Sequence, residues 1–416
     1  MNLPPRKPEI LAPAGDMTCL QAALDAGAGA VYLGLGAFNM RARSSANFSA
    51  EELPEASRRC REAGARLYLT LNSILFEGEL AGVERTVRDT RRFVDAFIVS
   101  DLAAMRICRE CGAAFHVSTQ MSCSNSVAAA ALREMGASRV VLARECTLAE
   151  VAEIVRKSGI EVETFVHGAQ CVAVSGRCFL SHHAYGKSAN RGECRQPCRR
   201  EFLVTAVDRY GRPGAVDAGR DSPPEFSVGP HTVMSAKDLC SLPFIDKLAE
   251  AGIASFKIEG RARNPEYVRA TTLAYRRAVD AVYDGSFCAA LAEELQRDVS
   301  RVFHREFSSG LFHGRPGADQ FTDKEDSASA VVKRHVGIVA DYFVKAGIAQ
   351  VQVQDAALRT GDTIQIHGAS TGVVELKVPP LRRDDLEIAS AGRGEWATFT
   401  CPRVRRGDKV FKLDER

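Results

Sequence analysis

The sequence predicts an α/β protein: a TIM-like (β/α)8 barrel, a cysteine-rich insertion within it, and a small C-terminal β-barrel domain. Three observations carry that prediction. Eight short apolar segments alternate with helical patterns over roughly the first 280 residues. Strands that are apolar throughout and alternate with helices belong to a parallel sheet covered by helices, and eight of them suit a closed barrel better than an open sheet. The seventh unit is broken by a stretch crowded with cysteine, glycine and arginine. Beyond the last long helical pattern the chain turns to short strands separated by turn residues.

The barrel strands are EILAPAG, AVYLGLG, RLYLTLN, AFIVSD, AFHVSTQ, RVVLARE, VETFVHG and ASFKIEG. Each of the first six leads into a helical pattern, such as FSAEELPEASRRCREAGA after the second. DAGAGA, EAGARL, ECGAAF and EMGASR put glycine at the helix C-terminus, just ahead of the next strand. After VETFVHG the insertion runs over about 169–240 and holds a hairpin-like EFLVTAVDRYGRPGAV, a polar DAGRDSPPE and MSAKDLC. SLPFIDKLAEAG and the eighth strand follow, then the long helix PEYVRATTLAYRRAVDAVYDG. Polar TDKEDSASA marks the boundary between a barrel domain at 1–325 and a second domain at 326–416. There, Gly-Asp precedes both TIQIHG and KVFKL, as expected for hairpins of a small β-barrel.

A chain of 416 residues exceeds what one compact core organises. Its net charge of +3 is too small to signal nucleic-acid binding by itself. Basic density is local instead. Arg177, Lys187, Arg191, Arg195, Arg199 and Arg200 surround the cysteines, and Arg382, Arg383, Arg403, Arg405 and Arg406 stand near the C-terminus. Each run reads equally as an anion-binding face or a solvated one. Met1 leads directly into NLPPRKPEIL, without an apolar leader, and no run of about 18 apolar residues occurs. A cytoplasmic protein with no membrane span and reduced thiols is therefore expected.

Four of the thirteen cysteines, Cys171, Cys178, Cys194 and Cys198, fall in one irregular stretch. Soft thiolates select zinc, copper(I) or iron–sulfur clusters. The wide spacing does not match the paired CxxC of a zinc ribbon, whereas a cluster accepts ligands from scattered loops. Structural zinc and inert buried thiols are the competing readings. Cys19, Cys60, Cys108, Cys123, Cys146, Cys288 and Cys401 are read as core thiols. Cys108 and Cys111 form a CxxC, but inside a helical pattern.

A barrel of this kind works at the C-terminal ends of its strands. Those ends carry Asp16, Asn72, Ser118, Thr119, Gln120, Arg144, Glu145, His167, Lys257, Glu259 and Arg261, with Glu163 inside the seventh strand. A strand-buried carboxylate needs a partner, and Arg144, Lys257 and Arg261 are the candidates. The same cations suit a dicarboxylate or phosphate. Glu163, His167, Glu259 and Asp16 are the candidate acid–base groups. Asn72, Gln120, Arg144, Glu145, Lys257 and Arg261 are the candidate substrate contacts. A buried ion-pair belt that only holds the barrel is the other reading of these charges. No Ser-His-Asp order, HExxH, P-loop or strand-following GxGxxG is present.

Glu163-Thr-Phe165-Val-His167-Gly168-Ala-Gln-Cys171, followed by Ser175-Gly-Arg-Cys178-Phe-Leu-Ser181, resembles the signature of the peptidase U32 family. NRGECRQPCR, LAPAGD, YLGLGAFNMRA, HVSTQMS, MSAKDL and FKIEGR are similar to that family as well. The resemblance implies either of two activities. The older one is a metal-dependent, collagenase-like peptidase. The other is an oxygen-independent hydroxylase of an RNA base, a tRNA uridine or a 23S rRNA cytidine, with prephenate as a required metabolite. It also implies a [4Fe–4S] cluster on Cys171, Cys178, Cys194 and Cys240, with Cys198 as the alternative fourth ligand. The extra C-terminal domain favours RNA as the partner, and a non-catalytic cluster- or electron-delivery role is the third reading.

Overall fold

The computed structural model describes residues 3–43, 47–200, 234–314, 317, 320–322, 324, 326–384 and 386–416. The hairpin-like EFLVTAVDRYGRPGAV and the loop DAGRDSPPE fall outside the described residues. Eight parallel strands form the barrel: β1 (Glu9–Pro13), β2 (Ala30–Leu33), β3 (Arg66–Leu71), β4 (Ala96–Val99), β5 (Phe115–Val117), β6 (Arg139–Val141), β7 (Glu161–Gly168) and β9 (Ser255–Ile258). Each pairs with the next, β7 pairs with β9, and β9 returns to β1, which closes the ring. β8 (Asp238–Cys240) stands outside it, antiparallel to the end of β7 and parallel to β10 (Phe307–Ser308).

The helices begin almost as soon as the strands end, because the strand ends supply their caps. Asp16 accepts from the Cys19 amide at 2.7 Å and starts α1 (Met17–Asp25). Asp101 caps α4 (Leu102–Glu110), Asn125 caps α5 (Ser126–Glu134), and Thr147 with Glu150 forms a capping box on α6 (Leu148–Ser158). α2 (Leu53–Glu62) and α3 (Leu80–Thr90) complete the ring of helices on that side. Gly112, at φ +64°, turns the chain from α4 towards β5, as the Cys-Gly-Ala pattern predicts. α8 (Ile245–Glu250), the twenty-residue α9 (Pro265–Asp284) and α10 (Ala289–Ser300) close the outer layer.

Aliphatic side chains fill the space between strands and helices. The barrel interior is different. A small apolar group, Leu11, Ala30, Tyr32, Tyr68, Ala96 and Ile98, shares it with buried charge. Arg139 is 1% exposed and reaches Glu9 at 2.7 Å, Glu161 at 2.8 Å and Glu163 at 3.2 Å. Lys257 reaches the other oxygen of Glu163 at 3.0 Å, and Arg66 stands 3.8 Å from Glu9. Three carboxylates thus face three cations, and Tyr68 adds its hydroxyl to Glu9. Burial opposes ionisation of Glu163, but Lys257, Arg139 and His116 hold its carboxyl below the usual range.

The C-terminal region is an antiparallel sheet built on β11 (Val331–Phe343), β12 (Ile348–Val353), β14 (Thr363–Gly368), β15 (Gly372–Lys377), β19 (Trp396–Thr400) and β20 (Lys409–Glu415), following β13 (Leu358–Arg359) and with β16 (Leu381–Arg383), β17 (Leu386–Ile388) and β18 (Ser390–Ala391) between β15 and β19. Its hydrogen-bonded order among the described residues is β15-β14-β20-β11-β12-β19-β16-β17, and β13 pairs with β18. The two Gly-Asp pairs are not hairpin turns. Gly361-Asp362 joins β13 to β14, and Gly407-Asp408 joins β19 to β20, and neither pair of strands is hydrogen-bonded together. Asp362 and Asp408 instead accept from the amides three residues earlier, Arg359 and Arg405, and so lock loop entries into the strands. The tight hairpins are β11–β12 and β14–β15. The β14–β15 turn rests on α1 and α2, where Arg59 donates to the Ala369 carbonyl, and Lys333 pairs with Glu266 of α9 at 2.6 Å. No helix is long and apolar enough to cross a membrane among the described residues.

Removing one partner of a buried ion pair leaves an uncompensated charge, which costs about 3–5 kcal/mol. Arg139→Leu is therefore expected to destabilise the barrel by about that amount, whereas Arg88→Leu, at an exposed pair, should leave stability nearly unchanged. Urea denaturation of the two variants beside the parent checks it.

Candidate functional site

The C-terminal strand ends open into a cavity of about 170 Å³, and the insertion forms its roof. Its walls hold Asn72, Gln120, Arg144, Glu145, Lys257, Glu259 and Arg261 of the sequence-derived candidates. Cys171, Cys178, Cys194 and Cys198 line the same cavity. Asp16, Glu163, His167 and Cys240 are not among its lining residues, each for a physical reason.

Asp16 is consumed as the α1 cap, which aims its carboxylate at a helix amide rather than at the cavity. Glu163 is fully buried below the cavity in the ion cluster. Its partners are Lys257 and Arg139, whereas Arg144 and Arg261 bond elsewhere. A register shift between Phe165 and His167 seats His167 opposite Ile258 instead of Glu259. The imidazole consequently packs outside the barrel against Tyr267, Tyr275 and Phe307. Burial, with His304 and Arg263 nearby, pulls it down to about 3, so it is neutral at physiological pH. Cys240 pairs with His167 across the β7–β8 ladder and lies buried against Tyr275, its thiol pushed up to about 11 by burial. The fourth cysteine at the cavity is thus Cys198, the alternative ligand.

The polar wall is organised before any ligand arrives. Asn72 donates to Ser118 Oγ at 3.3 Å and to Gln120 Oε1 at 3.2 Å, and its own oxygen accepts from the Met40 amide. Arg261 donates to Thr70 Oγ1 at 2.9 Å, and burial pulls its guanidinium down to about 10. Arg144 donates to the Ala169 carbonyl at 2.9 Å and stacks over Phe165 at 4.0 Å. Lys257 lies 4.5 Å from the centre of the Tyr32 ring. Glu259 pairs with Arg41 at 3.1 Å. Burial works against its ionisation, but Arg41, Arg263 and Arg144 hold the carboxyl below its ordinary value. Arg144 Nε and Glu145 Oε2 are buried without a hydrogen-bond partner among the described residues, as expected of groups waiting for a ligand.

Arg41 was not singled out from the sequence. It lies in the loop after β2, inside YLGLGAFNMRA, remote in sequence from every strand end considered. Only folding brings it to Glu259. Gly192 makes that possible: its φ is +82°, and a side chain there would collide with the backbone of Asn39 and Ala42. Arg43 donates its amide to the Gly192 carbonyl at 3.3 Å, tying the 39–43 loop to the insertion.

The insertion is held down at several points. Arg191 pairs with Glu79, Ser175 donates its amide to Glu145 at 3.2 Å, and Arg199 is buried with bonds to Gln170 and Ser235. Arg199, read from the sequence as one of a basic run, is therefore an internal strut. Ser175 and Gln196 adopt positive φ, 47° and 53°, one between each pair of cysteines. Strained backbone of this kind persists only where the surroundings impose it, often at functional sites.

The four thiols feel one another: Cys171, Cys194 and Cys178 all raise Cys198, after burial as the larger cause, while Arg199 lowers it. Cys178 Sγ accepts from the Leu180 amide at 3.4 Å, and Cys194 Sγ from Ser181 Oγ. No three His, Cys, Asp or Glu side chains converge to hold a single ion among the described residues. Four cysteines at one cavity, two of them accepting hydrogen bonds at sulfur, are a donor set of the kind that holds iron–sulfur clusters. Of the cysteines read as core, Cys19, Cys60, Cys108, Cys123 and Cys146 are buried, whereas Cys288 is exposed and Cys401 only partly covered.

Residues 15–322 match the model of peptidase family U32. The chain belongs to that family. It is 38% identical to a protein named uncharacterized protease MJ0090 in Methanocaldococcus jannaschii, over 98% of each chain. A collagenase of Porphyromonas gingivalis is 36% identical over 98% of each. The tRNA hydroxylation protein P1 of Bacillus subtilis is 33% identical over 87% of this chain and 84% of its own.

His167 gives a pH-dependent prediction. Its folded value of about 3 lies below the unfolded one of about 6.5. The unfolded chain therefore binds the proton first, and stability falls as pH drops from about 6.5 towards 3. His167→Gln is expected to flatten that fall without moving the acid limb of any activity profile. Melting temperature against pH, for both proteins, measures it.

Proposed function

We propose that this U32-family protein hydroxylates an RNA base without using molecular oxygen, with a [4Fe–4S] cluster on Cys171, Cys178, Cys194 and Cys198 and a small carboxylate metabolite of the prephenate type as cosubstrate. The observation that carries the reading is the meeting of four cysteines with Arg41, Arg144, Lys257 and Arg261 in one cavity, the last two of them buried. The relative named for tRNA hydroxylation makes tRNA the first RNA to test.

Arg144 and Arg261 offer guanidinium forks for a carboxylate, and Arg41 and Lys257 add charge beside them. Burial leaves Arg144 and Arg261 below their ordinary values, and neither makes an ion pair among the described residues, so an anion entering the cavity meets guanidinium charge that no carboxylate has neutralised. Glu259, held ionised by Arg41, is placed to accept a proton. Asn72 and Gln120 supply donors and acceptors for a base edge. Phe165 and Tyr32 keep one wall apolar and help exclude water. A cluster held by the cysteines supplies redox or Lewis-acid chemistry.

Hydrolysis is the second reading, favoured by the protease and collagenase names of two relatives that match over 98% of their length. The cavity gives it less support. His167, the strand-end imidazole, faces away from it, and no Ser-His-Asp arrangement lines it.

Protein purified without oxygen is expected to carry about four irons and four sulfides per chain. Cys171→Ala and Cys198→Ala should lose them, and Cys240→Ala should keep them. Mass spectrometry of nucleosides from cells with and without the gene should show one hydroxylated base that depends on it. Arg261→Ala should abolish that product while iron and sulfide stay in place. Stoichiometric zinc without iron, together with chelator-sensitive cleavage of gelatin, would replace this reading with hydrolysis.

A further inference from the structure

The cavity opens through a rim unlike the rest of the barrel surface. Phe179 stands between Cys178 and Leu180, both of which line the cavity, yet it is 74% exposed. Val174 is 60% exposed on the same loop. On the insertion's other contact with the barrel, Phe76 is 60% exposed and lies under the Arg191 guanidinium at 4.7 Å. The 174–176 turn packs on the 119–121 turn, where Arg177 donates to the Gln120 carbonyl at 2.6 Å. Arg191 ties the Phe76 side to the insertion through Ile74 and Glu79. The two sides are therefore one braced surface rather than separate loops.

Large apolar side chains grouped on a surface mark a binding site, and the charge around them selects the occupant. Arg177, Arg195 and Arg200 are exposed on the insertion, and no carboxylate pairs with any of them among the described residues. Of the nearby acids, Glu79 pairs with Arg191 and Glu193 with Arg43, while Glu77, beside Phe76, is exposed and makes no ion pair among the described residues. Exposed aromatics interleaved with guanidinium groups suit an unpaired nucleic acid strand, whose bases stack while its phosphates meet the cations. A duplex keeps its bases stacked internally and offers Phe179 nothing to stack on.

We infer that this rim is a docking surface for unpaired RNA, with Phe179 as the stacking platform and Arg177 and Arg195 as phosphate contacts beside the cavity mouth. This rests on the RNA reading above and assigns the residues that hold the strand. A base stacked on Phe179 lies next to Cys178, at the entrance to the cavity where Gln120 and Asn72 wait. The RNA therefore has to present its target nucleotide in a loop or an unpaired stretch.

The test is binding without turnover, by fluorescence anisotropy, on the iron-loaded full chain. The probes are a fluorescein-labelled RNA stem–loop and the fully paired duplex of the same stem. Phe179→Ala is expected to weaken stem–loop binding roughly tenfold, and Phe179→Trp to restore it. Arg177→Gln should weaken binding and lower the slope of log K against log salt by about 0.7. Because Phe179 is exposed, its loss leaves the fold intact, and unchanged iron content and melting temperature confirm that. Equal binding of the parent and Phe179→Ala, or equal affinity for duplex and stem–loop, overturns the proposal. So does gelatin displacing the bound RNA with the same dependence on Phe179, which would make the rim a protein-docking surface. If instead binding follows these expectations while no hydroxylated base is found, the docking surface stands and the proposed reaction fails.

Discussion

The charge cluster inside the barrel is the constraint on which the rest of the site depends. Arg139 of β6 reaches Glu9 of β1 and Glu161 and Glu163 of β7, and Lys257 of β9 completes it. Ions buried this deeply are tolerated only when each has a partner in good geometry. The cluster therefore fixes the relative register of the four strands it joins. Lys257 is its upper member. Its ammonium serves both cluster and cavity, pairing with Glu163 while lying against the rings of Tyr32 and Phe165 at the cavity floor. The cavity stands on a platform whose height the cluster sets.

Above the platform, the structure separates holding from acting. Asp16, His167 and Cys240 look like chemical groups in the sequence and serve as cap, packed ring and buried thiol. The groups that face the cavity are Arg41, Arg144, Glu259 and Arg261, with the amides of Asn72 and Gln120. The insertion supplies the roof, and its arginines are divided in the same way. Arg191 and Arg199 anchor it, while Arg177 and Arg195 remain on the outside, close to the exposed Phe179.

The one displaced register on β7 has consequences on both sides of the barrel wall. Strict alternation would have placed His167 in the interior, two residues after Phe165. The shift turns it outward onto α9, where it packs with Tyr267 and Tyr275, and it leaves Glu259 facing the cavity without an imidazole beside it. β8 then adds to the end of β7 and carries Cys240 to the same outer side. That single irregularity keeps both His167 and Cys240 out of the cavity lining.

Local pattern alone determined a good deal. Apolar strands of four to eight residues, alternating with helices that end in Ala-Gly-Ala or Cys-Gly-Ala, specified the barrel, because periodicity and capping are written in neighbouring residues. The cysteine spacing and the polar strand ends located the mouth for the same reason, and the signature around Glu163 and Cys171 indicated the family. Tertiary structure decided everything that depends on residues far apart in the chain. It chose Arg139 rather than Arg144 or Arg261 as the partner of Glu163, since strand neighbours across a closed barrel cannot be read from one strand. It brought Arg41 to Glu259, and it selected Cys198 over Cys240 at the cavity. Gly-Asp turns that join strands not paired with each other were likewise beyond local reading, because strand pairing is a long-range choice that turn residues only permit.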